Sequence, residues 1–461
     1  MDNLHLVVLV VTLAVVGLSL TWLAGVYFPA KRKRVVKDEE VIPLDDTLLE
    51  QRKEPLAHLK RVQKTARSRL ETASPDIPDI LDYIIVQSHN LGVSDIHITP
   101  LPTTINVEIR LDGLLYDVVT IPKKHQAPLL RRLKVLARLD LFARDKPQDG
   151  HIAEVAGQDV DIRLSTLPVA HGEKAVLRFL STTAGLLDLD QLGLSPDLLA
   201  RYREVCDRPQ GLVVLTGPTG SGKTTTMYAS LRELKDRRRA SLNIVTIEDP
   251  IETEMASLSQ TQVNEATGLT FARGLRSILR QDPDVIMVGE IRDAETAGIA
   301  IQAGLTGHLI FTSLHADSAA GVFNRLINMH VEPFLVASSS AAVLSQRLVR
   351  KLCQRCRQPT EVPQHQRQQL ERLGVTIGTD EGFWIGQGCD VCLGKGDEGR
   401  IGLFEMLVTD DDIRAELVKG VPTHQLHKLA VSRGMRTLLD DGLDKARRGE
   451  ISLAEVLRVV V

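Results

Sequence analysis

The first apolar stretch of the chain differs in kind from all the later ones. From Leu4 to Phe28 it contains no Asp, Glu, Lys or Arg. In a helix that rises 1.5 Å per residue, about 25 residues exceed the roughly 30 Å hydrocarbon core of a bilayer. A basic run from Lys31 to Arg34 follows at once, which is typical of the cytoplasmic end of a membrane helix. The pattern predicts a transmembrane anchor. A cleaved signal peptide is the alternative, but it would begin with basic residues and have a shorter apolar run.

Residues 35–75 are mostly polar and contain Pro43 and Pro55, so the pattern predicts a linker. Within it, apolar residues recur at helical spacing and basic residues occupy positions between them. The apolar positions are Leu56, Leu59, Val62, Ala66 and Leu70. Two interpretations remain open. One is a solvated helix that packs one face on the following domain; the other is a basic helix that lies on anionic lipid near the anchor.

Alternation with a period of two begins after residue 76 and predicts strands over 94–98, 105–111, 114–119, 159–164 and 174–180. Asp112 and Gly113 are a tight-turn signal between the second and third of these strands. Helical spacing over 80–87 and 128–139 predicts two helices. A small mixed α/β domain is therefore expected. Arg163 and Arg178 fall within its last two strands, where an isolated arginine is normally a surface charge.

A buried strand is predicted from Leu212 to Leu215. A glycine-rich segment follows it, and a helix is predicted after that segment. That segment reads Gly-Pro-Thr-Gly-Ser-Gly-Lys-Thr. Glycines let consecutive backbone N–H groups turn toward phosphate oxygens, the lysine supplies a point charge, and the threonine hydroxyl can bind Mg²⁺. The residues predicted to bind a nucleoside triphosphate are Gly217, Pro218, Thr219, Gly220, Ser221, Gly222, Lys223, Thr224 and Thr225, with Thr224 also a ligand of Mg²⁺.

Three further apolar runs, over 242–247, 285–288 and 307–315, predict strands of the same sheet. Acidic residues that include Glu248 and Glu290 end the first two, and His308 and His315 flank the third. Open α/β sheets bind ligands at the carboxyl ends of their parallel strands. Glu290 is therefore a candidate to polarise an attacking water, Glu248 to act as a second carboxylate at the metal, and the histidines to act on the terminal phosphate. Taken singly, each carboxylate is also explained as a helix cap or surface charge, and each histidine as a core or surface imidazole.

Four of the five cysteines form two Cys-x-x-Cys pairs, Cys353 with Cys356 and Cys389 with Cys392. Each pair can present two thiolates, so together they predict one tetrahedral Zn²⁺ site in a small subdomain. Because the remaining cysteine, Cys206, makes the count odd, a reducing compartment is expected.

Composition narrows the class of protein. With 461 residues, of which 43% are hydrophobic, the chain is long enough for several domains with cores of their own. Its net charge is −3, and aromatic residues, which would stack on bases, make up only 3% of it. No nucleic-acid partner is expected from this composition.

The motifs together resemble the secretion ATPase superfamily, and within it the motors of type II secretion and type IV pilus assembly. The matching segments are the Walker A motif at 217–226, the Asp box at 245–252, the Walker B motif at 281–293 and the His box at 306–317. Upstream matches lie at 94–98, 110–113, 146–150 and 172–174. The two cysteine pairs resemble the zinc module of the secretion and pilus-extension motors.

The resemblance implies an α/β fold in which a RecA-like P-loop ATPase domain stands beside the smaller N-terminal domain. It implies ATP, Mg²⁺ and Zn²⁺ as cofactors, a homohexameric ring, and an inner-membrane platform protein as partner. It also implies that Arg163 and Arg178 reach the terminal phosphate and couple domain closure to hydrolysis. The expected divisions are an anchor over 1–34, a linker over 35–75, an N-terminal domain over 76–190, an ATPase core over 191–350, a zinc subdomain over 351–402 and C-terminal helices over 403–461.

Two features depart from the family pattern. Residues 393–400 stand where the family usually has a Thr-Gly-Tyr sequence, and an anchor with a short linker stands where many members carry an extended docking region. We therefore expect an active motor that supplies its own attachment to the bacterial inner membrane, with the ATPase body in the cytoplasm. The rival interpretations are a conjugation-type or DNA-translocating ATPase and a catalytically silent membrane scaffold.

Overall fold

The computed structural model describes residues 55–180, 187–237, 242–378 and 381–460. The predicted membrane anchor and the first part of the predicted linker lie outside these residues. Among the described helices, none is long and apolar enough to cross a membrane. The helices are α1 (Pro55–Leu70), α2 (Ile77–Asn90), α3 (Gln126–Leu136), α4 (Pro196–Cys206), α5 (Lys223–Arg237), α6 (Phe271–Ile278), α7 (Ala294–Leu305), α8 (Ala319–Asn328), α9 (Pro333–Ser339), α10 (Gln364–Arg372), α11 (Asp411–Lys419), α12 (Thr423–Ser432), α13 (Leu438–Arg447) and α14 (Leu453–Val460).

The strands form three sheets. They are β1 (Asp95–Pro100), β2 (Thr104–Leu111), β3 (Leu114–Pro122), β4 (Gln148–Val155), β5 (Gln158–Val169), β6 (Gly172–Phe179), β7 (Gly211–Thr216), β8 (Ile244–Glu248), β9 (Ser259–Gln262), β10 (Val285–Val288), β11 (Leu309–Leu314), β12 (Ser340–Leu352), β13 (Arg357–Thr360), β14 (Phe383–Gly386) and β15 (Asp397–Val408).

The N-terminal domain is built on a six-stranded antiparallel sheet in the order β3-β2-β1-β6-β5-β4. Buried and partly buried residues alternate along β2, as expected of a strand with one face on a core. Asp112 and Gly113 both have positive φ, 49° and 82°, which is the geometry of the tight turns that match strand twist. The turn predicted between β2 and β3 is therefore present.

Helix α1 belongs to this domain, although the sequence pattern predicted a linker there. Leu59, Val62 and Ala66 are each at most 3% exposed and join the core of the N-terminal domain. Lys60 and Lys64 lie on the exposed face. The apolar periodicity of this segment thus reflects packing against the following domain, the first of the two interpretations left open above.

The core of the molecule is a seven-stranded sheet in the order β15-β12-β7-β11-β10-β8-β9. All neighbours are parallel except β12 and β15. Strands β7, β10 and β11 are buried at every residue, because helices cover both faces of a parallel sheet. Successive residues of β7 contribute to opposite faces, Leu212 to one hydrophobic cluster and Val213 to the other. This arrangement confirms the predicted α/β class.

A small two-stranded sheet, β13 and β14, follows the core strand β12. The chain then returns to the core sheet through β15, which pairs along most of β12. The boundary predicted at residue 402 therefore falls inside a strand of the core sheet. Helices α13 and α14 pack beside β12 and β15 through a hydrophobic cluster that includes Leu443 and Val456.

Candidate active site

The phosphate loop connects β7, a central strand of the core sheet, to α5. Gly217, Gly220 and Gly222 have φ values of 146°, 76° and 87°, a region that other residues seldom adopt. A Cβ atom on Gly217 would lie 2.4 Å from the backbone oxygen of Gln346, so only glycine fits there. Because α5 begins at Lys223, its unpaired N–H groups and its positive dipole end are directed at the loop.

Lys223 is held inside the loop by backbone oxygens. Its Nζ donates to the carbonyl oxygen of Gly217 at 2.8 Å and to that of Pro218 at 3.1 Å. Burial lowers the pKa of Lys223, and the nearby charge of Glu290 partly opposes this effect. The ammonium group is thus placed beside both the loop and the carboxylate of Glu290.

A cavity of about 760 Å³ opens in front of the loop, within the roughly 300–1,000 Å³ typical of ligand pockets. Its polar lining comes from the loop and from the carboxyl ends of neighbouring strands. The lining includes residues 219–225, Glu248, Asp249, Glu252, Glu290, Arg292, His315 and Arg400. Gly217 and Pro218 line an adjoining cavity that His315 also borders.

Glu290 follows β10 and forms an ion pair with Arg292. Arg292 donates from Nε to the Glu290 carboxylate at 2.7 Å and also pairs with Asp249 at 3.2 Å. His315 follows the adjacent strand β11, and its Nε2 lies 3.7 Å from the other Glu290 oxygen. The structure therefore brings together the carboxylate predicted to polarise the attacking water and one of the histidines predicted to act on the terminal phosphate.

Glu248 ends β8 and is 3% exposed. One of its oxygens accepts a hydrogen bond from the Tyr228 hydroxyl. The other accepts from Thr246 Oγ1 at 2.5 Å and from Gln260 Nε2 at 3.2 Å. Neutral donors thus hold both oxygens of Glu248, which also lines the cavity. Its role as a second carboxylate at the metal stays a prediction.

Glu252, four residues further along the same loop, lines the cavity together with Thr224. Burial raises the pKa of Glu252 and the charge of Glu248 raises it further, whereas a hydrogen bond with the Thr224 side chain and the charge of Arg178 lower it. The sequence carries a signal for this residue, since Glu252 closes the Asp box at 245–252.

Arg163 and Arg178 are direct cross-strand partners on β5 and β6. Arg178 donates from Nε to Asp95 at 2.8 Å, and Arg163 approaches Asp149 at 3.9 Å. Both side chains are more than half exposed, and neither lines the cavity. Arg178 acts on the site through its charge, because it lowers the pKa of Glu252.

His308 does not lie in the site. Its backbone oxygen accepts from the N–H of Gly211, the first residue of β7, and its Nδ1 lies 3.2 Å from the oxygen of Ala303. Strand β11 has six residues, so its two ends are about 20 Å apart at roughly 3.3 Å per residue. His308 is therefore at the amino edge of the sheet, opposite the phosphate loop, and its predicted catalytic role is corrected.

Arg400 is a site residue that sequence reasoning missed. It lies near the start of β15, just after the second cysteine pair, and lines the cavity. No local pattern marks it, because it reaches the loop only through the antiparallel pairing of β15 with β12.

The four predicted zinc ligands form one cluster. All four Sγ atoms lie within 4.8 Å of one another, with Cys353 to Cys389 at 3.8 Å and Cys356 to Cys392 at 3.7 Å. Four sulfurs placed tetrahedrally at the usual Zn–S distance of about 2.3 Å would be about 3.8 Å apart. Backbone N–H groups of Cys389 and Gly396 donate to the Cys392 sulfur at 3.1 and 3.2 Å. The donor set and its spacing fit Zn²⁺.

Comparison with known proteins identifies the family. The sequence profile described as "Type II/IV secretion system protein" matches residues 70–458. The chain belongs to this family. The type II secretion system ATPase E of Vibrio cholerae is 46% identical over 369 residues, which are 80% of this chain and 72% of that protein. The type IV pilus assembly ATPase PilB of Thermus thermophilus is 41% identical over 401 residues, 86% of this chain and 44% of that protein.

A solved structure of the same architecture supports the fold. The pilus retraction motor PilT with bound ADP has a TM-score of 0.55 and 26% sequence identity, and the match covers 82% of this chain and 96% of that one. The resemblance drawn from the Walker, Asp-box and His-box segments is thereby confirmed at the level of the family. For this type II/IV secretion system protein, the cavity around the phosphate loop is the candidate active site.

Proposed function

We propose that this chain is an ATPase that works as a homohexameric motor and powers assembly of a type II secretion pseudopilus or a type IV pilus at the inner membrane. The observation that carries the proposal is the cavity in which the phosphate loop faces Glu252, Glu290 and His315. The names of the relatives support it, since they include a type II secretion ATPase and a type IV pilus assembly ATPase.

The loop and the start of α5 bind the phosphates of ATP in this proposal. Backbone N–H groups donate to phosphate oxygens, and the Lys223 ammonium supplies a positive charge next to them. The Thr224 hydroxyl and the Glu252 carboxylate, which line the same cavity, are the groups that would hold Mg²⁺. When bound, Mg²⁺ neutralises charge on the phosphates.

Glu290 orients the attacking water and accepts its proton, because it is a cavity carboxylate next to Lys223. Arg292 and His315 hold Glu290 from two sides. Arg178 and its neighbour Arg163 bring positive charge from the N-terminal domain toward the terminal phosphate, so release of phosphate loosens the closure of that domain on the core.

The cysteine cluster holds Zn²⁺ as a structural site. We expect purified protein to contain about one Zn²⁺ per chain, as measured by mass spectrometry of metals. Cys389→Ser should lose that metal and lower the unfolding temperature. Cys206→Ala changes a cysteine outside the cluster and should retain the metal. Full metal content in the Cys389 variant would contradict the assignment.

The membrane partners follow from the N-terminal pattern. Residues 4–28 would anchor the protein in the bacterial inner membrane by a single span, with the ATPase body in the cytoplasm and an inner-membrane platform protein as the element moved. Separation of membranes from soluble protein, with the intact chain detected by an antibody, tests this attachment. Full-length protein found only in the soluble fraction would contradict it.

ATP hydrolysis by the purified chain with Mg²⁺ tests the activity itself. The parent should turn over ATP, and Lys223→Ala should abolish turnover by removing the charge at the phosphates. Stimulation of hydrolysis by DNA would favour a DNA-translocating ATPase instead. Tight nucleotide binding with no turnover in the parent would favour a silent scaffold.

A further inference from the structure

Tyr228 connects the helix that follows the phosphate loop to the Asp-box segment. It lies four residues after Thr224 in α5, so the two side chains share one face of that helix. Its hydroxyl donates to the Glu248 carboxylate and accepts a hydrogen bond from the backbone N–H of Glu252 at 3.3 Å. One phenol group therefore contacts two of the three acidic residues of the Asp-box segment, Glu248 through its carboxylate and Glu252 through its backbone.

The Tyr228 side chain is buried beside these partners. Tyr228 is 2% exposed. Burial, followed by its hydrogen bond to Glu248, raises the pKa of Tyr228, so the group stays neutral and can donate. Because Thr246 and Gln260 donate to the other oxygen of Glu248, the carboxylate of Glu248 is fixed from both sides and serves as an anchor.

The consequence concerns Glu252. Glu252 lines the cavity together with Thr224, and its backbone N–H is bound to the phenol one helical turn from Thr224. The position of the Glu252 carboxylate relative to Thr224 is thus set by a bond to the same helix that carries Thr224. Without the hydroxyl, α5 would no longer hold Glu252 through its backbone.

We propose that Tyr228 is a positioning residue that fixes Glu252 beside Thr224, so that the two together form the magnesium end of the nucleotide site. This inference rests on the proposed ATPase function and adds a residue to it. Tyr228 touches neither reacting atoms nor metal in this account; it acts through Glu248 and Glu252.

The chain offers a matched control, a second buried tyrosine whose hydroxyl contacts α5 from a neighbouring helix. Tyr202 is also fully buried, and its hydroxyl is 2.8 Å from the Ser230 hydroxyl of α5. Tyr202 lies in α4, and it does not line the cavity. Tyr202→Phe and Tyr228→Phe each remove one buried phenol oxygen. The Tyr202 oxygen contacts α5 from α4, and the Tyr228 oxygen belongs to α5 itself, but only the loss of the second affects the Asp-box segment.

The experiment compares these two variants with the parent in the full chain. For each, kcat, the KM for ATP, the Mg²⁺ concentration at half-maximal rate and the thermal unfolding curve are measured. Tyr228→Phe should lower kcat and raise the required Mg²⁺ concentration by about 10- to 100-fold, the effect expected when a supporting partner of a metal site is lost. Its KM for ATP at saturating Mg²⁺ should stay within about twofold of the parent. Tyr202→Phe should leave all three kinetic values within about twofold.

A third variant, Thr246→Val, tests whether the metal site depends on Glu248 or on the placement of Glu252. It removes one donor from the Glu248 carboxylate but leaves the bond between Tyr228 and the Glu252 backbone. Its shift in Mg²⁺ requirement should be smaller than that of Tyr228→Phe. An equal shift would show that Glu248, and not the placement of Glu252, controls the metal site, and would overturn the inference.

A readout that needs no turnover separates this inference from the proposed function. The affinity for ADP is measured with and without Mg²⁺. Tyr228→Phe should weaken the Mg²⁺-dependent part alone, and ADP binding without Mg²⁺ should not change. A parent that binds ADP but does not hydrolyse ATP would contradict the proposed function. The ADP affinities with and without Mg²⁺ could still be compared between the parent and Tyr228→Phe. If Tyr228→Phe shows the parent's Mg²⁺ dependence in both assays, or differs only in thermal stability as Tyr202→Phe does, the positioning role is wrong.

Discussion

His315 Nε2 lies 3.7 Å from a carboxylate oxygen of Glu290. The two residues follow adjacent parallel strands, β11 and β10, which pair in register up to Val288 and Thr312. The contact is therefore set by the core sheet rather than by a free loop. It places an imidazole next to the carboxylate to which we assign the attacking water.

The two histidines that flank β11 give a matched prediction. His315→Ala should lower kcat by about 10- to 100-fold, because Glu290 loses one of the groups that hold it in the cavity. His308→Ala should leave kcat within about twofold, because His308 lies at the opposite edge of the sheet. Steady-state hydrolysis with saturating MgATP measures both. Similar losses in the two variants would contradict the placement of His308 away from the site.

A second prediction concerns the shape of the phosphate loop. Gly217→Ala should weaken binding of a fluorescent ADP analogue by more than about tenfold, because the new Cβ would meet the Gln346 oxygen at 2.4 Å. Gly220 also has positive φ, but a Cβ there would enter open space. Gly220→Ala should therefore lower the free energy of unfolding by only about 1–2 kcal/mol, the backbone strain of a non-glycine residue at positive φ. Equal binding by the Gly217 variant and the parent would contradict the close approach of Gln346.

The C-terminal helix provides a prediction about stability and pH. Burial alone would raise the pKa of Glu455, but hydrogen bonds from Arg458 and Arg350 outweigh it and lower the pKa from 4.5 to about 2. A carboxylate whose pKa falls on folding contributes stability above its unfolded value and loses it as pH drops through the folded value. The contribution, about 3 kcal/mol, should be complete at pH 7 and disappear between about pH 4.5 and 2.

The free energies of unfolding of Glu455→Gln and the parent, measured in urea at several pH values, check this prediction. The variant should be less stable at pH 7, and the difference should shrink as pH falls below 4.5. Glu450→Gln removes an exposed pair with Arg448 and should cost less than about 1 kcal/mol. A difference for Glu455→Gln that does not change with pH would exclude the ion-pair explanation.

Elements buried on both faces were well predicted from sequence. The run over 285–288 coincides with β10, because a strand covered by helices on both sides must be apolar at every residue. The phosphate loop was predicted equally well, because the backbone geometry requires its glycines and the charge of the phosphates requires its lysine. By contrast, α1 was assigned to a linker, because its apolar stripe is short and its partner domain comes later in the chain.

The site residues that were misjudged depend on long-range contacts. Glu248 ends β8 and Glu252 lies four residues beyond it, and the hydrogen bonds of Tyr228 to the Glu248 carboxylate and the Glu252 backbone N–H join both residues to α5. His308 and His315 were treated alike, although a parallel strand puts its two ends on opposite edges of the sheet. Arg400 had no signal in its own neighbourhood, because strand pairing brings it to the cavity.

The central claim is that Glu290 acts in the chemical step of an ATPase. The most direct measurement is steady-state hydrolysis of MgATP by the parent and by Glu290→Gln, at protein concentrations at which the ring can form, with nucleotide affinity measured in parallel. The parent should turn over MgATP, the variant should lose at least about a hundredfold in rate, and its nucleotide affinity should stay within about threefold of the parent. Equal turnover in the parent and the variant would contradict the central claim.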